Sequence, residues 1–298
     1  MDSKIELARP RDFGETITDT FGFIKQNFKP LLKYFFIFCG FFLFATFALT
    51  ILTEVKALSF MSSTPIDSFD ESGAFSRVFS FLGGYLLLIL FIILNYVAIN
   101  VMVLCFMTLY KQKQNTIPTT EEMWGYFKYY YLRVLGSSVL LYILMIIGFM
   151  FCLIPGVYLS PIFALVPAIM VIENGSFGYS FNQSFKLIKD NWWVTFGIIV
   201  VIYIILYVLN LFISIPSFIL GIGNVFLHMR DTKAISLPIA IMVSLLQTVE
   251  YAFQMLITVA VGLCYFSLSE SKEGTGLMER INQFGTGESH TDTTQEEY

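Results

Sequence analysis

One acidic side chain, Glu250, stands in an apolar stretch that is otherwise free of charge from Ala234 to Ser269. Polar residues recur around it every three or four positions and would share one side of a helix: Ser244, Gln247, Glu250, Gln254 and Thr258. A carboxylate at the centre of a bilayer costs at least about 3 kcal/mol. We therefore expect this stripe to face the interior of a helix bundle or a water-filled cavity.

Two interpretations of the stripe remain open. Glu250 could bind a proton or a cation, or the stripe could line the path of a substrate. Alternatively, a protonated Glu250 could hydrogen-bond to amides of neighbouring helices and act only in packing. Three amides in other apolar stretches are suited to this role: Asn95, Asn100 and Asn210. Together with Ser244, Gln247, Glu250 and Gln254, they form the predicted intramembrane polar site.

Residues for other kinds of chemistry are scarce. The two histidines, His228 and His290, cannot supply a metal site of several histidines. The acidic residues Asp67, Asp70 and Glu71 of a predicted outer loop could hold a divalent ion, but such a group is more typical of a solvated surface. The cysteines stand singly, without metal-ligand spacing: Cys39, Cys105, Cys152 and Cys264. No nucleophile or phosphate-binding motif is present, so the sequence predicts no metal, no cofactor and no enzymatic activity.

The elements that carry these residues are long apolar helices. Five stretches contain no Asp, Glu, Lys or Arg apart from Glu250: 34–53, 78–110, 134–172, 191–229 and 234–269. About 20 apolar residues of helix cross a hydrocarbon core of about 30 Å. Only 13% of the residues are charged, about half the proportion in soluble domains. The predicted fold class is an all-α integral membrane protein.

Helix breakers divide the longest stretches into six spans. Ile154-Pro155-Gly156 is predicted to be a turn between two short spans, the second of which is kinked or re-entrant at Pro161 and Pro167. Pro216 is predicted to end the fifth span and to leave 217–226 at the interface. The predicted spans are 31–53, 80–108, 135–153, 157–172, 193–215 and 237–267.

The basic residues orient these spans. Fourteen of the 18 Lys and Arg residues fall on one side of the membrane, and four fall on the other: Lys56, Arg77, Arg230 and Lys233. Because cytoplasmic loops are enriched in Lys and Arg, both termini are predicted to be cytoplasmic. If the fourth segment failed to cross, Lys186 and Lys189 would change sides and the asymmetry would weaken.

A short pattern precedes the first, third and fifth spans, with aromatic residues at positions 0 and 7 and a Lys at position 4. Any amphipathic helix at a membrane interface favours such residues. The alternative interpretation is a threefold repeat in one orientation, in which an interfacial lead-in helix precedes each two-span hairpin. The first and third copies agree at further positions, since Phe13-Gly14 matches Phe177-Gly178 and Asn27 matches Asn191. The predicted interfacial anchors are Phe21, Lys25, Phe28, Trp124, Lys128, Tyr131, Phe185, Lys189 and Trp192.

The predicted organisation has three parts. Residues 1–30 form a cytoplasmic N-terminal segment with the first lead-in helix, and residues 31–268 form the six-span domain. Residues 269–298 are polar and acidic and are predicted to be a disordered cytoplasmic tail.

The order of these elements resembles a bacterial inner-membrane family of about six spans. The resemblance is carried by Phe13–Phe28, Leu153–Leu159, Pro161–Glu173, Tyr179–Lys189 and Trp192-Trp193. The family includes the membrane domain attached to some glycerophosphodiester phosphodiesterases and stand-alone proteins of the YciC type, and Leu7–Gly14 resembles its Bacteroidota members. The resemblance implies a fold and an inner-membrane location but no established activity, since the phosphodiesterase reaction belongs to a separate soluble domain.

Two functions are compatible with these features. The first is a non-catalytic accessory or scaffold subunit that positions a partner in the cytoplasmic membrane. The alternative is a small transporter or lipid-handling protein that uses Glu250 in the polar stripe. Membrane lipids are the expected partners, with other membrane proteins or a second copy of the chain as further alternatives. No binding of nucleic acid is expected.

Labelling of both chain ends in sealed vesicles of known orientation checks the topology. We expect both ends on the cytoplasmic face, because the Lys and Arg asymmetry favours an even number of spans. The protein should also stay in the membrane fraction after a carbonate wash. Ends found on opposite faces would contradict the six-span topology.

Overall fold

The computed structural model describes residues 4–62, 71–151, 153–227 and 232–273. Within these ranges the chain forms α-helices and one π-helical turn, and no strand. The two histidines, Asp67, Asp70 and most of the predicted tail lie outside the described residues. The helices are α1 Phe13–Gln26, α2 Phe28–Tyr34, α3 Gly40–Ser62, α4 Glu71–Gln112, α5 Thr120–Phe151, α6 Leu153–Ile172, α7 Phe177–Ile188, α8 Trp192–Leu227 and α9 Thr232–Glu273.

Six helical segments are long and apolar enough to cross a membrane, which confirms the predicted all-α membrane protein with six spans. The π-helical turn Phe35–Cys39 joins α2 to α3, so that the first segment is nearly continuous. The six segments are Phe28–Lys56, Leu82–Gln112, Thr120–Met150, Ile154–Ile172, Trp192–Ile215 and Ala240–Lys272.

Three predicted boundaries differ from the structure. Helix α6 begins at Leu153, so Pro155 and Gly156 lie in its first turn and not in a turn between helices. A proline is tolerated there because the first N–H groups of a helix have no acceptor within it. Helix α8 continues through Pro216 to Leu227, since a helical backbone keeps its polar groups paired in lipid. Helix α9 reaches Glu273, so residues 269–273 are helical and not part of a disordered tail.

Helix α6 remains helical through both of its internal prolines. Pro161 has no N–H to donate to the carbonyl of Val157, four residues earlier. The hydroxyl of Ser160 donates to that carbonyl at 2.8 Å. A side chain thus replaces the missing backbone hydrogen bond, and Ile154–Ile172 is long enough to span.

Helix α9 forms the centre of the bundle. Helices adjacent in sequence pack as the pairs α3/α4, α5/α6 and α8/α9, and α9 also contacts α1, α3, α4, α6 and α7. The C-terminal halves of α4 and α9 are buried along nearly their whole length. A Cβ at Gly262 would lie 2.7 Å from the sulfur of Met107, so this glycine permits the close approach of α9 to α4.

Two of the three predicted lead-in helices are built alike. Helices α1 and α7 are capped by Asp12 and Ser176, each of whose side chains accepts a hydrogen bond from a backbone N–H group of the first turn. After each helix an asparagine carbonyl, of Asn27 or Asn191, accepts from the N–H group four residues later at 2.9 and 3.0 Å. The second copy differs, because residues 124–131 lie within α5. The threefold repeat stays a prediction.

A clasp of Arg11, Asp19 and Ser267 fixes the N-terminal segment to the end of α9. The side chain of Arg11 is fully buried, and its Nε donates to Asp19 at 2.8 Å. The backbone N–H of Arg11 donates to the Ser267 hydroxyl at 2.9 Å. Burial lowers the pKa of Arg11, against the opposing effect of Asp19. Burial raises the pKa of Asp19, but hydrogen bonds from Arg11 and Arg9 outweigh it and leave that pKa below its ordinary value.

Asp19→Asn would leave the buried guanidinium of Arg11 without a counter-ion. Loss of one partner of a fully buried pair costs about 3–5 kcal/mol, and partial exposure of Asp19 reduces our expectation to about 2 kcal/mol. Thermal unfolding in detergent measures this loss. Because the pKa of Asp19 is depressed in the folded protein, the stability contributed by its ionised carboxylate is complete at neutral pH. This contribution disappears as the pH falls through the folded-state pKa. Asp19→Asn should lack this loss of stability at acid pH.

Asp190→Asn is the matched control, since Asp190 pairs with Lys272 at 3.0 Å but is exposed. Exposed pairs contribute little, so its Tm should barely change. Equal losses of Tm in the two variants would contradict the role assigned to the clasp.

Candidate functional site

A cavity of about 180 Å³ lies between α4, α5, α6, α8 and α9. Its walls are largely apolar, and none of the residues that line it is Asp, Glu, Lys, Arg or His. Seven lining side chains carry a hydroxyl or amide group: Tyr96, Asn100, Ser138, Tyr142, Ser160, Tyr203 and Thr258. An apolar cavity with a few converging polar groups is typical of a binding site for a small molecule or for one part of a larger one.

Three tyrosines from three helices meet at this cavity. The phenol of Tyr96 on α4 interacts with those of Tyr142 on α5 and Tyr203 on α8. The rings of Tyr96 and Tyr142 are 6.5 Å apart in an edge-to-face arrangement. This tyrosine cluster offers aromatic faces and hydroxyl groups to the same space.

The wall between α4 and α9 is fixed by a hydrogen bond between side chains. The hydroxyl of Thr258 donates to Oδ1 of Asn100 at 2.8 Å. Nδ2 of Asn100 donates to the carbonyl of Tyr96 at 2.9 Å. The amide of Asn100 is therefore held in one orientation beside the tyrosine cluster.

Tyr142 and Tyr203 line the cavity and are 44% and 49% exposed, and we infer that the cavity has its mouth between them. Helix α5 packs on α4 and α6, whereas α8 packs mainly on α9, and α5 and α8 have few or no backbone contacts with each other. The exposed neighbours of the two tyrosines are apolar, including Ile143, Ile146 and Ile204. The mouth thus opens on a surface suited to lipid and not at a polar end of the bundle.

Helix α6 contributes an additional acceptor to the cavity wall. Pro167 and Phe163 both line the cavity. Pro167 has no N–H group for the carbonyl of Phe163, four residues earlier in the helix. That carbonyl consequently lacks its regular helical donor at the wall of the cavity.

Two members of the predicted polar site lie at or beside this cavity, and two more lie about two helical turns from it. Asn100 lines it, and Gln254 lies close to the Tyr96 phenol without reaching hydrogen-bond geometry. Nε2 of Gln254 is buried and has no hydrogen-bond partner among the described residues. One turn farther along α9, Glu250 interacts with Asn210 of α8. Glu250 is exposed, whereas the polar stripe predicts a carboxylate that faces the interior or a water-filled cavity.

The other three members lie apart from this group. Ser244 is buried and donates to the carbonyl of Ala240 within α9 at 2.7 Å, and Gln247 is half-buried. Asn95 is fully buried in α4, and neither atom of its amide has a hydrogen-bond partner within the described part of the chain. The predicted site is therefore divided, and its functional role stays a prediction.

The predicted interfacial anchors fall into two groups. The first is exposed and comprises Phe21, Lys25, Phe28, Trp124, Lys128 and Lys189. The second is half-buried and comprises Tyr131, Phe185 and Trp192. Tyr131 donates to the carbonyl of Leu94 at 3.2 Å, and the indole of Trp192 donates to that of Tyr158 at 3.0 Å. These two side chains join helices, whereas the exposed group is free to contact a membrane surface.

Sequence reasoning missed the tyrosine cluster, although a signal was present. Tyrosines of membrane proteins are enriched at the membrane interfaces. Tyr96, Tyr142 and Tyr203 instead lie well inside charge-free stretches of the sequence. A tyrosine far from the ends of a span favours a polar partner in the bundle, and this criterion includes the three positions together with others such as Tyr207 and Tyr251.

The described residues contain no group of three or more His, Cys, Asp or Glu side chains that could hold a metal ion. Comparison with known protein families, curated proteins and solved structures finds no match.

Asn95 and Asn100 of α4 should respond oppositely to replacement by leucine. Asn95→Leu should raise the Tm, because an unpaired buried amide costs about 1–3 kcal/mol. Asn100→Leu should lower it, because Thr258 would lose its acceptor. Thermal unfolding of the purified protein tests both variants. A lower Tm for Asn95→Leu would contradict the absence of a stabilising partner for its amide.

Proposed function

We propose that this membrane protein binds, without catalysis, the hydrogen-bonding part of an amphiphile dissolved in the bilayer. The observation that carries the proposal is the mouth between Tyr142 and Tyr203, which opens on an apolar surface. A molecule in the lipid could enter sideways and reach the hydroxyl and amide groups of the cavity. This function corresponds to the lipid-handling alternative, but the cavity replaces the Glu250 stripe as its main site.

The size of the cavity limits what can enter. Its volume of about 180 Å³ resembles that of an engineered cavity of about 150 Å³ that binds benzene. One ring or a short head group fits, and the remainder of the amphiphile would stay in the lipid. The absence of charged side chains from the lining supports binding in place of acid–base catalysis.

The proposal also includes a bacterial inner membrane with both chain ends in the cytoplasm. The distribution of Lys and Arg residues supports this orientation. The contact between Arg11 and Ser267 is compatible with it, because it brings the N-terminal segment to the end of α9. The family resemblance and the scaffold role remain predictions.

Photo-crosslinking from two adjacent positions of α5 tests the proposed function. Met145 lines the cavity, whereas the next residue, Ile146, is 60% exposed. A benzophenone amino acid at Met145 should crosslink an alkyne-tagged monoacylglycerol in vesicles, and excess untagged monoacylglycerol should suppress the product. The same group at Ile146 should give a product that does not saturate, because it contacts bulk lipid.

If the crosslinking yield saturates at neither Met145 nor Ile146, the proposed binding from the bilayer is contradicted. Tyr203→Ala should weaken the saturable component at Met145, while Tyr129→Ala, at the opposite end of α5, should leave it unchanged.

A further inference from the structure

We propose that the amphiphile is a cation, a lipophilic ammonium that the tyrosine cluster and Glu250 recognise together. This inference rests on the proposed function and adds the charge of the bound molecule. Its basis is the chemistry of the lining and the position of one carboxylate beside it.

The cavity lining favours a positive group and disfavours a negative one. Tyr96, Tyr142 and Tyr203 bring three electron-rich rings to one space, and tyrosine faces attract ammonium groups at distances of about 6 Å or less. The Phe163 carbonyl, which Pro167 deprives of its helical donor, adds a negative dipole at the wall. An anionic head group would find no Lys, Arg or His among the lining residues.

Glu250 extends this chemistry beyond the cavity. Residues 250, 254 and 258 are successive turns along one side of α9 and cover about 12 Å. Thr258 lines the cavity, and Gln254 lies beside Tyr96. The carboxylate is therefore placed along the same side of α9, two turns from the cavity wall.

Helix α8 provides a second, independent alignment. Tyr203 and Asn210 are seven residues apart, about two helical turns, and so lie on one side of the helix. Tyr203 borders the mouth, and Asn210 interacts with Glu250. The pair of Glu250 and Asn210 thus lies on the continuation of the mouth along the seam between α8 and α9.

The exposure of Glu250 then has an explanation. An ionised carboxylate on an apolar membrane surface is costly unless a counter-charge accompanies it. A lipophilic cation arriving from the bilayer would supply that charge at the seam. Its ammonium group could then move to the aromatic faces of the cluster, where cation–π attraction replaces part of its hydration.

Competition with a matched pair of amphiphiles tests the charge. The saturable crosslink at Met145 would be challenged with dodecyltrimethylammonium or with its uncharged isostere, in which carbon replaces nitrogen. Both would be kept at a low mole fraction of the lipid. In the wild-type background, the cation should compete at about tenfold lower concentration, as expected for an added attraction of about 1.4 kcal/mol.

Glu250→Gln should remove most of this advantage and leave competition by the isostere unchanged. Glu54→Gln is the control, since it removes a carboxylate of α3, which does not line the cavity. If the two amphiphiles compete equally in the wild-type protein, the preference for a cation is contradicted, but the proposed site facing the bilayer is not. If the cation competes as strongly against the isostere in Glu250→Gln as in the wild type, the role assigned to Glu250 is contradicted. A crosslink that never saturates would instead defeat the proposed function itself.

Discussion

The backbone of this protein has no water to bind in hydrocarbon, and every N–H and carbonyl group there needs a partner within the chain. The structure meets this constraint with long uninterrupted helices. Helix α8 passes through Pro216, and α6 passes through Pro161 with the hydroxyl of Ser160 as a substitute donor. The helical state is preserved even where the side chain opposes it. At Pro167 no such substitute donor is found among the described residues. The carbonyl of Phe163, a residue that lines the cavity, therefore lacks its regular helical donor.

Packing is concentrated in one part of the bundle. The C-terminal halves of α4 and α9 approach closely at Gly262, and their side chains are buried almost without interruption. Helix α8 is more peripheral, since its membrane segment is the least buried of the six. A closely packed centre with a peripheral helix suits a binding protein, because Tyr203 comes from the less buried α8 while Asn100 and Thr258 come from the packed pair of α4 and α9.

The sequence predicts the spans well because their signal is one-dimensional. Near-absence of charge over 20 or more residues requires no knowledge of neighbours and identifies five stretches, which helix breakers then divide into six spans. The boundaries are predicted less accurately, since a proline in the sequence indicates a helix end, yet Pro155 and Pro216 lie within helices. In water that expectation is reasonable, but in lipid the cost of unpaired backbone groups favours continuation.

The site was harder to predict because it depends on which helix faces meet. Asn95 and Asn100 look equivalent in the sequence, yet one is unpaired among the described residues and the other joins α4 to α9. Glu250 was recognised, and its partner Asn210 was among three alternatives. The tyrosine cluster draws one residue from each of three helices, and the mouth exists because α5 and α8 do not pack together. Neither property is encoded in a single stretch of sequence.

The clasp between Arg11 and Ser267 links residues 256 positions apart. Its consequence concerns the order of events during synthesis. Chains emerge from the ribosome N-terminus first, so Arg11 is made long before its partner. Docking of this segment on α9 must wait until α9 has been inserted, although Phe23 of α1 also contacts Phe106 and Tyr110 of the earlier helix α4. Docking of the first element on the last is thus a late step of biogenesis, and it marks a chain whose spans are all in place.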